Sequence, residues 1–196
     1  MSHPRPLRVA ELAYLWWLHY TFDNPIRRLF HKPEQILGGL VQPGQTVLDL
    51  GCGMGYFSIP MARLVGPGGR VIAVDVQEKV LNVARRRAAR AGVLERIRFH
   101  RCRPDDVGIF DAVDFVLAFW MVHEAADPAR LLCQVRQVLK PEGRFLMAEP
   151  KVHVRAVQFE HSVKLAALAG LQAVAQVPVA LSRAALFTIV HSEQSR

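Results

Sequence analysis

Apolar and polar residues along the chain fall into two periods that take turns. Thr46 to Leu50, Arg70 to Asp75, Asp111 to Ala118 and Arg144 to Ala148 are short apolar runs, each closed by an acid, a turn or an aromatic segment, and they predict buried strands. Between them, Val80, Leu81, Ala84, Ala88 and Ala91 share one face at helical spacing, as do Leu131, Leu132, Val135, Val138 and Leu139. Tyr56 to Val65 predicts a helix that tolerates Pro60, because the first turn lacks intrahelical partners for its N–H groups. Arg96 to Arg101, where Ile97 and Phe99 alternate with Arg and His, is a further strand. Toward the C-terminus, Val157 to Ala169 predicts a helix, with Leu171 to Val177 and Ala184 to Val190 as two closing strands.

Turn chemistry punctuates these elements. Pro43-Gly44, Gly66-Pro67-Gly68-Gly69, Gly92 and Lys140-Pro141-Glu142-Gly143 mark the changes of direction, and Asp127-Pro128 sets an N-cap followed by Pro at the first helical position. Strands alternating with helices predict an α/β, Rossmann-like, doubly wound sheet of seven strands. It should be mostly parallel, with helices on both faces. Ahead of it, Pro33 to Leu40 is a short helix. Residues Val9 to Phe30, aromatic and split by Asp23-Asn24-Pro25, predict two more, so residues 1–40 form an N-terminal helical extension and residues 41–196 the main unit.

Within this pattern one loop stands out. Asp49 ends the first strand, and Gly51, Gly53 and Gly55 follow at every second position before Tyr56 opens a helix. Glycine admits positive φ and leaves no Cβ between backbone and ligand, so such a loop lets N–H groups approach a nucleotide-like molecule closely. Asp75 closes the second strand about 20 residues later, where folds of this kind place a carboxylate against ribose hydroxyls. In open α/β sheets ligands sit at the carboxyl ends of the strands, and Asp49, Asp75, the Arg103 to Asp106 loop, Phe119 to Glu124 and Glu149 all fall at that edge.

Composition and charge change this picture little. The 196 residues, 51 % hydrophobic, suffice for one domain with a full core. Cys52, Cys102 and Cys133 are far apart and lack a Cys-x-x-Cys pair, which argues against a structural metal site or a disulfide framework and for a reducing cytoplasm. The longest apolar runs fall short of the ~20 residues of a membrane span. A net charge of +8 and arginines at 85–87, 90, 96, 98, 101 and 103 raise the possibility of a nucleic-acid partner, against a solvated basic face.

The segment Asp49-Leu50-Gly51-Cys52-Gly53-Met54-Gly55, with Asp75 and Val138-Leu139-Lys140-Pro141-Glu142-Gly143-Arg144 in order behind it, resembles the class I S-adenosylmethionine-dependent methyltransferases. The likeness runs from about Gln42 to Pro150 and is to the small-molecule, quinone-biosynthesis-like branch. It implies S-adenosylmethionine as cofactor and S-adenosylhomocysteine as product. The backbone of the loop from Gly51 through Cys52, Gly53, Gly55 and Tyr56 would lie along the amino-acid portion, beside Asp49 for the ammonium group. Asp75 would hold the ribose and Val76 would pack on adenine. After the third strand this chain departs from the family, with Arg103 where many relatives carry an acid. Asp105, or backbone near Arg103, is the candidate adenine contact.

Phe119 and Trp120 stand where the family lines the methionine end and the acceptor pocket, either shielding the sulfonium or packing the core. His123 is the candidate general base, with a structural role as the other reading. No metal is implied. A small-molecule acceptor is favoured over nucleic acid, because no Asn/Asp-Pro-Pro-aromatic motif follows the fourth strand. A nicotinamide enzyme is disfavoured, because Tyr56 occupies the third Gly of that fingerprint. A non-catalytic cofactor-binding domain is the third reading, and oligomeric state is left open.

Overall fold

The computed structural model describes residues 30–190, so the two helices expected before Phe30, and with them most of the 1–40 extension, lie outside the described residues. The elements run α1 (Pro33–Leu37), β1 (Thr46–Leu50), α2 (Ser58–Val65), β2 (Arg70–Asp75), α3 (Glu78–Arg90), β3 (Ile97–Arg101), β4 (Val113–Phe119), α4 (Pro128–Val138), β5 (Leu139–Pro150), α5 (Ala156–Leu168), β6 (Leu171–Gln176) and β7 (Ser182–Ile189). Seven strands form one sheet in the order β3-β2-β1-β4-β5-β7-β6. Only β7 runs against its neighbours. The expected mostly parallel α/β sheet is what the chain builds.

The two-residue period of the strands sorts the core into two layers. Val47, Val71, Ala73, Phe115 and Leu117 face α2 and α3, where Met61, Val65, Leu81 and Ala88 meet them. Leu48, Ile72, Val74, Val116 and Ala118 face the other way, toward Leu132 and Val135 of α4 and Ala166 of α5. Asp49, Asp75 and Phe119 therefore point to the α2–α3 side, while Glu149, two residues past Met147, points to the α4–α5 side.

Strand order reverses between β1 and β4, which pair in parallel from Val47 opposite Phe115 to Leu50 opposite Ala118. Connections leaving these two strands go to opposite sides, the arrangement in which open α/β sheets form a ligand crevice beyond the carboxyl ends of the strands. The Asp49 loop and the Phe119 segment flank that crevice.

Helix boundaries follow their caps. The Asp127 carboxylate accepts from Arg130 N–H and Pro128 takes the first position of α4, as expected. The Lys140 to Gly143 turn takes a different form. Helix α4 runs straight into β5, and the register jumps from Val113 opposite Leu139 to Phe115 opposite Arg144. The turn is thus an insertion within the strand. It folds back so tightly that a Cβ on Gly143 would lie 2.7 Å from Leu139 Cγ.

Candidate functional site

The cofactor half of the edge is assembled from backbone. Asp75, 6 % exposed, accepts from Gly53 N–H through Oδ2 at 3.0 Å and from Gln77 N–H through Oδ1 at 2.9 Å. Two bonds to N–H groups fix the orientation of this carboxylate. The glycine loop is thereby tied to the end of β2, and Cys52 N–H adds a bond to the Val74 carbonyl at 2.9 Å. Asp49, 2 % exposed, accepts from Ser58 Oγ at 2.5 Å, which fixes it against the first turn of α2. Directly after Asp75 stands Val76, an apolar side chain left 39 % exposed beside a buried acid.

Within the loop, Gly51, Gly53 and Gly55 all have positive φ, at 66°, 51° and 83°. At Gly51 the need for glycine is also spatial, since a Cβ there would come within 2.9 Å of Met121 Cβ and 3.0 Å of its Cγ. The turn after β4 therefore rests directly on the loop after β1. Cys52 contributes through its backbone. Its side chain is buried in the α2–α3 core, and burial, then the charges of Asp49 and Asp75, push the thiol well above its ordinary pKa. Tyr56 turns its hydroxyl away to donate to the His31 carbonyl at 2.6 Å.

Beyond β3 the chain makes a tight turn in which Arg103 and Asp106 bridge each other through their backbones. The Arg103 side chain is 78 % exposed and lies 3.6 Å from Asp105, whose other oxygen is 3.9 Å from Arg130. Cys102 sits between this turn and Asp75, donating its N–H to the Asp75 carbonyl. Its thiol is raised to about 11, first by burial and then by the Asp75 charge. Two arginines thus draw the Asp105 carboxylate.

At the acceptor half, Phe119 and Trp120 share a side against the strand alternation. Trp120 has φ 61°, rare for a bulky residue and costing about 1–3 kcal/mol. The conformation swings its ring onto the α2–α3 side with Phe119, at a centroid distance of 5.5 Å. It is held there by Trp120 N–H to the Ala148 carbonyl at 2.7 Å and by Nε1–H to Ser182 Oγ at 2.8 Å. Phe119 packs on Phe57 at 4.5 Å, and the buried His31 ring meets Phe119 and Trp120 edge to face. His31 Nε2 lies 2.7 Å from the Ala180 carbonyl, so the segment entering at residue 31, the glycine loop, the turn after β4 and the approach to β7 converge on one aromatic cluster.

His123 lies in the short helical turn Val122–Glu124, with Nδ1 against Glu149 Oε2. The other Glu149 oxygen accepts from Val122 N–H at 2.9 Å, and the carboxylate is 1 % exposed. Burial pulls the His123 imidazolium down. The Glu149 bond, with the charges of Glu149 and Glu124, outweighs it and holds the pKa above the ordinary histidine value. Glu149, placed by the sequence at the ligand edge as an acid closing a strand before Pro150, is the partner that sequence spacing did not assign to His123.

A hollow of about 580 Å³ opens at the opposite, amino-terminal edge of the sheet, lined by Thr46, Gly69, Arg70, Glu95 and Arg96. It holds none of the candidate residues. Among the described residues, no group of three or more His, Cys, Asp or Glu is arranged for a metal ion, and no helix is long and apolar enough to cross a membrane.

A seven-stranded sheet with a glycine loop after β1, a backbone-held acid after β2 and an aromatic turn after β4 defines a class I S-adenosylmethionine-dependent methyltransferase. Residues 42–183 match the Methyltransferase domain family, and the chain belongs to it. Among relatives, the demethylmenaquinone methyltransferase of Symbiobacterium thermophilum is 36 % identical over 109 residues, covering 55 % of this chain and 43 % of that protein. The ubiquinone/menaquinone biosynthesis C-methyltransferase UbiE of a Marinomonas species is 33 % identical over 130 residues, 63 % of this chain and 49 % of that protein. The chain thus spans less than half the length of these relatives. The crystal structure of a SAM-dependent methyltransferase from Aquifex aeolicus superposes with TM-score 0.80 at 25 % identity, covering 89 % of this chain and 98 % of that one.

The donor set fits the cofactor. Two buried acids stand at the ends of adjacent strands, where they could hold an ammonium group and vicinal hydroxyls, and the exposed Val76 could meet a purine ring.

Proposed function

We propose that this domain transfers a methyl group from S-adenosylmethionine to a small, hydroxylated aromatic acceptor of the reduced-quinone type. The observation that carries the proposal is the contact of Met121 with Gly51, which joins the cofactor loop to the turn bearing His123. When bound, the cofactor supplies an electrophilic methyl on a sulfonium. Asp49 and the loop backbone orient its amino-acid end, Asp75 its ribose, and Val76 its base. Trp120 and Phe119 wall off water from the crevice, where alignment of nucleophile and methyl accounts for much of the acceleration.

A small acceptor is supported by the fate of the arginines. Arg85 pairs with Glu78, Arg98 with Asp111, and Arg96 and Arg101 donate to the Ala62 and Val76 carbonyls, so much of the basic face serves the protein's own structure. The quinone class is supported by the relative named for demethylmenaquinone. Three free cysteines, two of them at least partly buried, accord with a cytoplasmic setting. The test is incubation with methyl-labelled cofactor and a 1,4-naphthohydroquinone lacking its ring methyl. A labelled product heavier by one methyl is expected, and label transfer to RNA with none to the quinol would overturn the proposal.

A further inference from the structure

An ionised carboxylate has no proton to give, so the contact between Glu149 Oε2 and His123 Nδ1 requires the proton on Nδ1. In the neutral ring the lone pair then belongs to Nε2. The His123 side chain is 27 % exposed, so this nitrogen is reachable, and Glu124 Oε1 lies 3.9 Å from it on the solvent side. The Val122 N–H fixes the Glu149 carboxylate from the other end, leaving little freedom in which oxygen meets the ring. Two residues before His123, Met121 lies on Gly51, so the turn that carries His123 begins against the glycine loop.

We propose that His123 Nε2 takes a proton from an acidic hydroxyl conjugated to the acceptor's nucleophilic atom, and that Glu149 is the positioning residue that holds the neutral ring's proton on Nδ1 and so leaves Nε2 as the accepting nitrogen. This deepens the methyl-transfer assignment and rests on it. As the new bond to the methyl carbon forms, the carbon–sulfur bond breaks with its electron pair left on sulfur. The acceptor's hydroxyl proton passes to Nε2, at once on a phenolic oxygen or ahead of attack through a ring carbon; in the latter case the ring carbon's own proton then passes to water, which restores aromaticity, and the imidazolium returns its proton to the phenolate oxygen. The imidazolium so formed faces Glu149 from β5 and Glu124 from its own turn, which stabilise it. The His153 ring lies parallel at 6.4 Å, and Arg183 of β7 stands opposite Glu149 in the ladder, its guanidinium donating to the Val154 carbonyl.

Glu149→Gln separates this role from a structural one. Val122 N–H keeps the amide oxygen, so the amide NH2 faces Nδ1, which must now accept, and the proton moves to Nε2. Nitrogen-15 NMR of the histidine-labelled 196-residue chain, without cofactor and at a pH above the raised His123 value, should show Nδ1–H in the parent and Nε2–H in the variant. With 1-naphthol and a 1,4-naphthohydroquinone as probes, Glu149→Gln should lower kcat about 10- to 100-fold with KM and cofactor Kd within about twofold, and adding His123→Gln should cost little more. A neutral parent ring protonated on Nε2, an Nδ1–H retained in the neutral variant, or a kcat unchanged within about twofold would each overturn the proposal. A parent that binds S-adenosylmethionine yet methylates neither probe would overturn the acceptor class. A parent that fails to bind it would instead overturn the methyl-transfer assignment, and the tautomer result would still decide the role of Glu149.

Discussion

At the cofactor half of the edge, Asp75 bonds to Gln77, two residues on, and to Gly53, 22 residues back, all inside one strand-helix-strand unit. At the acceptor half, Glu149 reaches 27 residues to Val122, Trp120 reaches 62 to Ser182, and His31 spans 149 to Ala180. The first half is a local structure made of backbone donors and glycine. The second exists only once β5 and β7 are in register beside β4. The cofactor end therefore tolerates change in distant segments, whereas the acceptor end is set by whichever chain segments meet there.

Gly51 is where the halves touch, and its substitution should have the largest effect. Gly51→Ala places a Cβ at φ 66° and 2.9 Å from Met121 Cβ, so it should destabilise the fold by about 2–4 kcal/mol in urea unfolding. Adding Met121→Ala should recover part of that loss, since Cγ and Cε leave but Cβ stays; simple additivity would break the claimed contact.

A second test acts on the acceptor half alone. Because the folded His123 pKa is raised, its protonation stabilises the native state. That contribution is fully present below the unfolded value of about 6.5 and is lost as pH rises through the folded value. The stability gap between parent and His123→Gln should therefore be wider near pH 5.5 than near pH 9, as read by denaturation at each; an unchanged gap would mean Glu149 does not hold the ring. The smallest effect belongs to Arg103→Ala. With a side chain 78 % exposed, it should change stability by less than about 0.5 kcal/mol and cofactor affinity less than about threefold.

The same contrast explains what the sequence revealed. The strands, the α3 and α4 stripes and the Asp49–Gly51–Asp75 spacing are all encoded by residues close in the chain, and they were legible. The pairing of His123 with Glu149 depends on the β4–β5 register, and that register contains the insertion at Lys140 to Gly143, which local turn signals mark without measuring. The Trp120 orientation was equally hidden. Alternation predicts the α4–α5 side for it, and only the Ala148 and Ser182 bonds hold the positive φ that reverses this. For Cys52 and Tyr56, their place in the loop marked them as contacts. In three dimensions one thiol is core and the hydroxyl anchors His31.

The separation of the two halves is tested most directly by titrating S-adenosylmethionine calorimetrically into the parent, Asp75→Ala and His123→Gln. Asp75→Ala removes the acid proposed to hold the ribose and leaves the Gly53 and Gln77 N–H groups without that carboxylate, so affinity should fall at least about 100-fold. His123→Gln should bind within about twofold of the parent, since its ring belongs to the acceptor turn. Equal affinity for Asp75→Ala and the parent, or a comparable loss in His123→Gln, would contradict a cofactor end that stands on its own.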